Sequence, residues 1–361
     1  MDPFRFPGLP SRVVFGHGTL VEVPREMEAL GRSRAVVLAT LGQRGQAEAL
    51  ATLLGDRAVG VIAEAVMHTP VAVTEAAVVR VRALDADCVI AVGGGSTTGL
   101  GKAIALRTDL DQIVVPTTYA GSEMTPILGE TLDGAEPGHR AKTTQKSEKI
   151  RPEVVVYDVD LTLGLPAGLT ATSGLNAIAH AVEALYAQDR NPIVSLMAEE
   201  AIRALARALP VIAAVPRDRA ARADALYGAW LAGACLGTVG MALHHKLCHV
   251  LGGSFDLPHA ETHTVVLPHA AAYNAQAAPE AMARVARALG AVDGPQGLYD
   301  LAASLGAPIS LSAIGMPEAG LDRAAEAAVA NPYWNPRALE RGAIRRLLND
   351  AFQGRRPDAA V

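Results

Sequence analysis

Six of the chain's ten histidines fall between residues 244 and 269: His244, His245, His249, His259, His263 and His269. Imidazole is the side chain that serves as acid, base or metal ligand near neutral pH, so this density points to a site. His245 and His249 are four residues apart and share one face of a predicted helix. Asn176 and His180 repeat that spacing on a second predicted helix. His259 follows a proline in FDLPHA, on a predicted loop. Paired groups on two helices and a loop histidine make a four-ligand constellation of the kind that holds a divalent metal. The amide at 176 speaks against a metal. Imidazoles and an amide are neutral and leave a cation's charge uncompensated. A cavity lined by His and Lys, with His244 and Lys246 adding positive charge, suits an anionic, carboxylate-bearing ligand instead. His263 and His269 are expected to be structural. Cys248, between His245 and His249, reads either as a small buried helix residue or as a thiol whose modification would block the site.

A second chemical signature is Asp87–Lys102, DCVIAVGGGSTTGLGK. An apolar strand runs into three glycines, then Ser96, Thr97 and a helix. Glycines permit close backbone approach, and the N–H groups and dipole of a helix N-terminus favour a phosphate. The run is neither GxGxxG on a first strand nor GxxxxGK[ST], so neither the usual dinucleotide fingerprint nor a P-loop is supported. The third signature, Val115–Pro126 (VPTTYAGSEMTP), is a hydroxyl-rich loop after a strand. It reads as donors for a nucleotide or as an ordinary polar turn.

The elements that must position these residues divide in two. Up to residue 158, short apolar runs alternate with helical patterns. The runs are Ala35–Ala39, Ala58–Ile62, Cys88–Val92, Gln112–Val115 and Val154–Tyr157. Continuous β-branched strands between helices predict a parallel sheet covered on both faces. Ligands of such sheets bind beyond the carboxyl ends of the strands. From Thr170 onward Ala and Leu recur at helical spacing and no strand is predicted. The expected organisation is an α/β domain over residues 1–160 and an all-α domain over residues 161–361.

Composition agrees. The 361 residues carry 32 basic and 37 acidic side chains, a net charge of −5, and half are apolar. That excludes intrinsic disorder and gives no electrostatic footprint for nucleic acid. Length suggests about two domains. Three scattered cysteines, Cys88, Cys235 and Cys248, argue against a disulfide framework and for a reducing compartment. No signal peptide and no membrane span is expected, so the expected location is the cytoplasm.

Taken together, GGGSTTGLGK, PTTYAGSEMTP, GLNAIAHAVEALYA and HHKLCHVLGGSFDLPHAETHTVVLPH resemble the iron-containing alcohol dehydrogenase superfamily, most closely its maleylacetate reductase branch. The resemblance runs from FGHG at Phe15–Gly18 to NPYWNPRAL at Asn331–Leu339. It implies an N-terminal dinucleotide-binding domain with a parallel sheet, a helical C-terminal domain of the dehydroquinate synthase-like fold, and a homodimer. It implies NADH or NADPH as cofactor. Gly93, Gly94, Gly95, Ser96 and Thr97 are the implied pyrophosphate turn. Thr117, Thr118 and Ser122 are the implied nucleotide loop, and Lys142 the lysine near the ribose. Many NAD-selective members carry Asp where this chain has Thr40. An acid there would repel a 2′-phosphate, so both cofactors are expected to serve.

In metal-dependent members one Asp and three His are the ligands. By motif, those positions here are Asn176, His180, His245 and His259. Asn for Asp, with a nucleotide loop one residue shorter than PTTAGTGSE, implies the maleylacetate reductase branch and a reaction that does not require a divalent metal. The implied reaction is NAD(P)H-dependent reduction of the C=C bond of maleylacetate, or of a substituted maleylacetate, to 3-oxoadipate in aromatic compound degradation. His245, His249 and His180, assisted by His244 and Lys246, are the expected catalytic group. The alternatives are a metal-dependent alcohol or polyol dehydrogenase of the same superfamily, a lyase that uses NAD transiently, and a histidine-rich metal-storage protein. The expected partner is a small dicarboxylate substrate, with no nucleic acid and no membrane.

Overall fold

The computed structural model describes residues 4–133, 140–331 and 333–358. Two compact units emerge: Gly8–Leu165, and Pro166–Val361 together with the N-terminal stretch Met1–Pro7.

In the first unit the strands are β1 (Arg12–Gly16), β2 (Ala35–Leu38), β3 (Ala58–Ile62), β4 (Cys88–Gly93), β5 (Asp111–Pro116), β6 (Ile127–Asp133), β7 (Arg140–Lys146) and β8 (Val154–Asp158). The helices are α1 (Val23–Ala29), α2 (Arg44–Leu54), α3 (Val71–Ala83) and α4 (Gly95–Thr108). Six strands form one parallel sheet in the order β1-β8-β5-β4-β2-β3. Alternate residues of each strand feed opposite faces. Ala35, Val37, Cys88, Ile90 and Val92 pack with Met27 and Leu50 on one side. Val36, Leu38, Val89 and Ala91 pack with Val78, Val81, Leu100 and Ile104 on the other. Each such fully buried Val, Leu or Ile contributes about 1.5–3 kcal/mol. Both faces being apolar is why these strands read as unbroken hydrophobic runs.

Two features escape the periodicity argument. β1 is a half-exposed edge strand that pairs with β8 at the far end of the chain segment. β6 and β7 form a separate antiparallel ribbon whose sequences, ILGETLD and RAKTTQK, are too polar to signal strands. Lys142 lies on β7 with its backbone opposite Thr131. Its side chain falls outside what the structure describes, and so does its expected approach to the ribose.

The second unit contains α5 (Ala167–Tyr186), α6 (Pro192–Ala214), α7 (Arg219–Thr238), α8 (Leu243–Phe255), α9 (His259–Asn274), α10 (Pro279–Leu289), α11 (Gly294–Ser304), α12 (Leu321–Ala330) and α13 (Arg341–Gln353). Every residue of α5 from Thr170 to Tyr186 is buried. Alanines at 177, 179, 181 and 184 let α6, α7 and α9 close around it. Three polar residues stand out on this helix: Asn176, His180 and Glu183, at i, i+4 and i+7 on one stripe. α7 and α8 meet at 93°, which brings the N-terminus of α8 and its His244 and His245 onto that stripe. Among the described residues no single helix is long and apolar enough to cross a membrane. One expectation is corrected. His259 is not on a loop; it is the first residue of α9, behind Pro258 as N-cap. Proline before a helix start is compatible with the extended backbone it favours.

Candidate active site

In the first unit, the two glycine- and hydroxyl-containing loops leave the carboxyl ends of neighbouring strands β4 and β5. The Thr117 amide donates to the Gly93 carbonyl at 3.0 Å and locks one loop to the other. A Cβ on Gly94 would stand 2.9 Å from Thr118 Cγ2 and 3.0 Å from Thr118 Oγ1. A Cβ on Gly93 would strike Thr97 Oγ1 and Gln43 Oε1. These contacts explain both glycines. Gly95 is exposed at the first turn of α4, which carries no acidic side chain. The Thr97 hydroxyl in that turn is buried and has no hydrogen-bond partner in the protein. An orphan hydroxyl beside a helix N-terminus fits a phosphate oxygen. The residues present therefore fit a dinucleotide pyrophosphate.

The other expected nucleotide residues sit around this turn. Gln43 Nε2 donates to Thr117 Oγ1 at 2.7 Å, and Thr40 Oγ1 donates to Gln43 Oε1 at 3.1 Å. Thr40 thus stands just past β2, tied to the loop by a glutamine that sequence reasoning overlooked. Ser122 is engaged from below. Lys102, fully buried on α4, directs Nζ at the Ser122 carbonyl, at Thr125 O (2.8 Å) and Oγ1 (2.9 Å), and at Ile127 O (2.9 Å). Burial brings its pKa down to about 7, opposed by the charge of Glu123. Lys102 is the one charge in the apolar run GLGKAIAL, and that isolation was the available signal.

In the second unit a continuous hydrogen-bonded row joins four buried side chains. Asn176 Nδ2 lies 3.3 Å from His180 Nε2, His180 Nδ1 lies 2.8 Å from His245 Nε2, and His245 Nδ1 lies 2.7 Å from Glu183 Oε2. Glu183 also accepts from the backbone N–H groups of Ala242 (2.9 Å) and His244 (2.8 Å) and from the Tyr186 hydroxyl (3.2 Å). It therefore caps the N-terminus of α8, where the helix dipole favours an anion. Burial pushes its carboxyl up, but the bonds and charge from His245 outweigh this and bring it down to about 2. Sequence reasoning missed Glu183, although a lone carboxylate in AHAVEALY, three residues after a candidate histidine, was a visible signal.

His249 lies one turn beyond His245 on α8 and is exposed; Lys246 is half-buried with Nζ 5.6 Å from the centre of the Tyr333 ring. His244 is buried and its Nε2 lies 3.1 Å from His263 Nδ1. Burial lowers the pKa of His244 to about 3 and holds that of His263 well below the usual imidazole value. His244 therefore adds no positive charge at pH 7, contrary to expectation; on α8 the cation is Lys246.

The implied metal set is not assembled as expected. His180 and His245 spend their facing nitrogens on each other at 2.8 Å, closer than the roughly 3.3 Å that two imidazole nitrogens keep around a tetrahedral ion with bonds of about 2.0–2.1 Å. His180 turns its other nitrogen to Asn176, and the His259 ring packs on His263 with centres 4.3 Å apart. As they stand, these four residues do not fit a divalent ion. Among the described residues, the His, Cys and carboxylate donors that lie together in a group of three, within 4.8 Å of one another, belong to His244, Cys248 and His263. The Cys248 thiol there is pushed well up by burial and by the charge of Glu183.

Comparison with known proteins adds a second line of evidence. Residues 10–159 match the family model "Iron-containing alcohol dehydrogenase", and residues 170–352 match "Fe-containing alcohol dehydrogenase family, C-terminal". The chain is 60% identical to the maleylacetate reductase of Rhizobium sp. (strain MTP-10005), over 99% of this chain and all of that one. It is 58% identical to the maleylacetate reductase of Sphingobium indicum, over 99% of each. The crystal structure of maleylacetate reductase from Agrobacterium tumefaciens matches at a TM-score of 0.95 with 59% identity, covering 99% of this chain and 100% of that one.

Proposed function

The chain belongs to the iron-containing alcohol dehydrogenase family, and from that premise we propose that it reduces the C=C bond of maleylacetate to 3-oxoadipate, with NADH or NADPH as hydride donor. The observation that carries this reading is likeness to maleylacetate reductases along the whole chain, both domains included. The cradle at Gly94 and Thr97 supports the cofactor.

The substrate is a dianion whose double bond is conjugated to a ketone. The Gly94 and Thr97 cradle would hold the pyrophosphate of NADH or NADPH, whose nicotinamide would supply a hydride to the carbon β to that ketone. Negative charge then gathers on the ketone oxygen, and a proton must reach the α carbon. Hydrogen-bond donors placed at such an oxygen are worth a few kcal/mol, about 2.7–4 kcal/mol for one donor in a well-studied hydrolase. We assign that charge to His180 and His245, one of which must release a bond of the row to reach it, since all four of their ring nitrogens are engaged at rest. His249, exposed and one turn from His245, is assigned the proton, because it can be reloaded from water. Lys246 is the cation assigned to a substrate carboxylate. With an amide at 176 where metal-dependent members carry an aspartate ligand, we assign the reaction no divalent metal. The protein is placed in the cytoplasm as a homodimer, in keeping with the resemblance.

The test is NADH oxidation, followed by absorbance, with freshly prepared maleylacetate, with and without a chelator. Turnover that survives chelation supports the full reading. Turnover lost on chelation and restored by zinc or iron overturns its metal-free part. Absence of turnover, with activity toward simple aldehydes or diols, overturns the substrate.

A further inference from the structure

In the sheet β4 lies between β2 and β5, and Gln43 spans its carboxyl end from one neighbour to the other. The residue closes the short turn Leu41–Gln43 after β2, where its backbone N–H donates to the Thr40 carbonyl at 3.0 Å. Its side chain sets Nε2 2.7 Å from Thr117 Oγ1, on the loop after β5, and Oε1 3.1 Å from Thr40 Oγ1. The amide crosses over Gly93. The point that a Cβ on Gly93 would occupy is 2.8 Å from Gln43 Oε1 and closer still to Thr97 Oγ1. The half-buried amide and the partnerless Thr97 hydroxyl therefore flank one α carbon, at the turn assigned to the pyrophosphate.

An amide side chain carries two N–H groups and two lone pairs. The two threonines take one of each, and among the described residues the Gln43 side chain makes no other hydrogen bond. One N–H and one lone pair are left. The remainder is the same with the amide turned over, because each hydroxyl can donate or accept. A donor beside an acceptor matches a vicinal diol at both of its hydroxyls. It matches an ionised 2′-phosphate only through the donor, since those oxygens accept. In dinucleotide-binding sheets the side chain that reads the adenosine ribose stands at a strand end beside the glycine turn. Gln43 stands there.

We propose that Gln43 is a specificity-determining residue whose amide binds the adenosine ribose diol of NADH and meets the 2′-phosphate of NADPH with its donor alone. Thr40 then acts through Gln43, which it holds in place. The inference rests on the dinucleotide reading proposed above.

The test is the Kd of NADH and of NADPH, by fluorescence titration without substrate, for the wild type and three variants. Gln43→Leu loses two bonds to the diol and one to the phosphate. Both cofactors should weaken, NADH at least threefold more than NADPH. Gln43→Glu still accepts from both threonine hydroxyls, so the crossing holds, but it loses the N–H and gains a charge. The ratio of affinities should move toward NADH by tenfold or more. Leu41→Glu puts the same charge on the exposed side of the same turn and should move the ratio less than threefold. Opposite shifts in the two Gln43 variants support the proposal. Equal weakening of both cofactors in Gln43→Leu would make Gln43 a brace and overturn it. So would equal shifts from Gln43→Glu and Leu41→Glu, and that comparison decides if Gln43→Leu does not fold. A wild type that binds both cofactors, with Kd unchanged in every Gln43 variant, sinks this inference alone. A wild type that binds neither sinks the dinucleotide reading and this inference with it.

Discussion

The Thr117 amide and the Gly93 carbonyl, 3.0 Å apart, join the loop after β5 to the glycine turn after β4. The two loops therefore move as one, and a side chain added to either displaces both. Gly94→Ala puts a methyl group 2.9 Å from Thr118 Cγ2, inside van der Waals contact. Thr118 or the turn must shift at the position assigned to the pyrophosphate. NADH affinity, measured by fluorescence titration, should fall tenfold or more, about 1.4 kcal/mol, with little change in Tm. An unchanged Kd would place the cofactor elsewhere.

Lys102 ties the same loop down from inside the protein. Replacing it by Met keeps the stem and removes the donor, leaving the oxygens of Ser122, Thr125 and Ile127 buried without their shared partner. An unsatisfied buried acceptor costs about 1–3 kcal/mol. Lys102→Met should therefore lower Tm by several degrees and weaken NADH binding as the loop loosens. Urea unfolding and NADH titration on one preparation measure both effects. Weaker binding at unchanged stability would mean that Lys102 touches the cofactor directly.

How far the site could be read from sequence depends on where each group's partners come from. The strands around Val36, Ile90 and Val114 announce themselves because both faces of the sheet are apolar, and the glycine turn because a run of three glycines after a strand is rarely idle. The stripe of Asn176 and His180 and the pair His245 and His249 follow from helical spacing alone. Glu183 and Lys102 do not. Glu183 is the one carboxylate of α5 and Lys102 the one charge in the run GLGKAIAL of α4, and the role of each appears only when distant backbone groups, at Ala242 and His244 or at Thr125 and Ile127, come against it. The neutrality of His244 was equally illegible, since it comes from complete burial rather than from residue type. The ribbon of β6 and β7 was hidden because its polar alternation resembles a loop.

Thr40 carries the expectation about cofactor choice. It stands two residues past β2 with its hydroxyl on Gln43, and it has no charge to repel a 2′-phosphate. The wild-type enzyme should use NADH and NADPH with kcat/KM values within about a hundredfold, or roughly 2.7 kcal/mol. Thr40→Asp should shift that ratio toward NADH by tenfold or more, mainly through KM for NADPH. A preference beyond a hundredfold in the wild type, or no shift in the variant, would show that selection lies at another residue.

His269, ten residues along α9 from His259, should give the chain a pH-dependent stability. Burial lowers its pKa from 6.5 to about 4. Because the folded value lies below the unfolded one, the unfolded chain binds the proton first as pH falls. Stability is complete above pH 6.5 and declines toward pH 4 by about 1.4 kcal/mol per pH unit for this group. Urea unfolding at pH 7 and pH 5 should show His269→Leu losing less stability on acidification than the wild type. Equal losses would mean that His269 is protonated in the folded protein.

The division of labour on α8 is tested by removing its two histidines one at a time. His245→Ala leaves the Glu183 carboxylate and His180 Nδ1 without the ring that joins them, so both kcat and Tm should fall, kcat by tenfold or more. His249 is exposed one turn on, and its removal opens no buried cavity. His249→Ala should keep Tm within a degree or two and still lower kcat by tenfold or more, because the group assigned to protonate the α carbon is removed. A small external amine or imidazole should restore part of the His249→Ala rate and none of the His245→Ala rate, since only the exposed position is open to a replacement from solvent. Wild-type kcat in both variants would remove these residues from the reaction. Rescue of His245→Ala alone would exchange their roles.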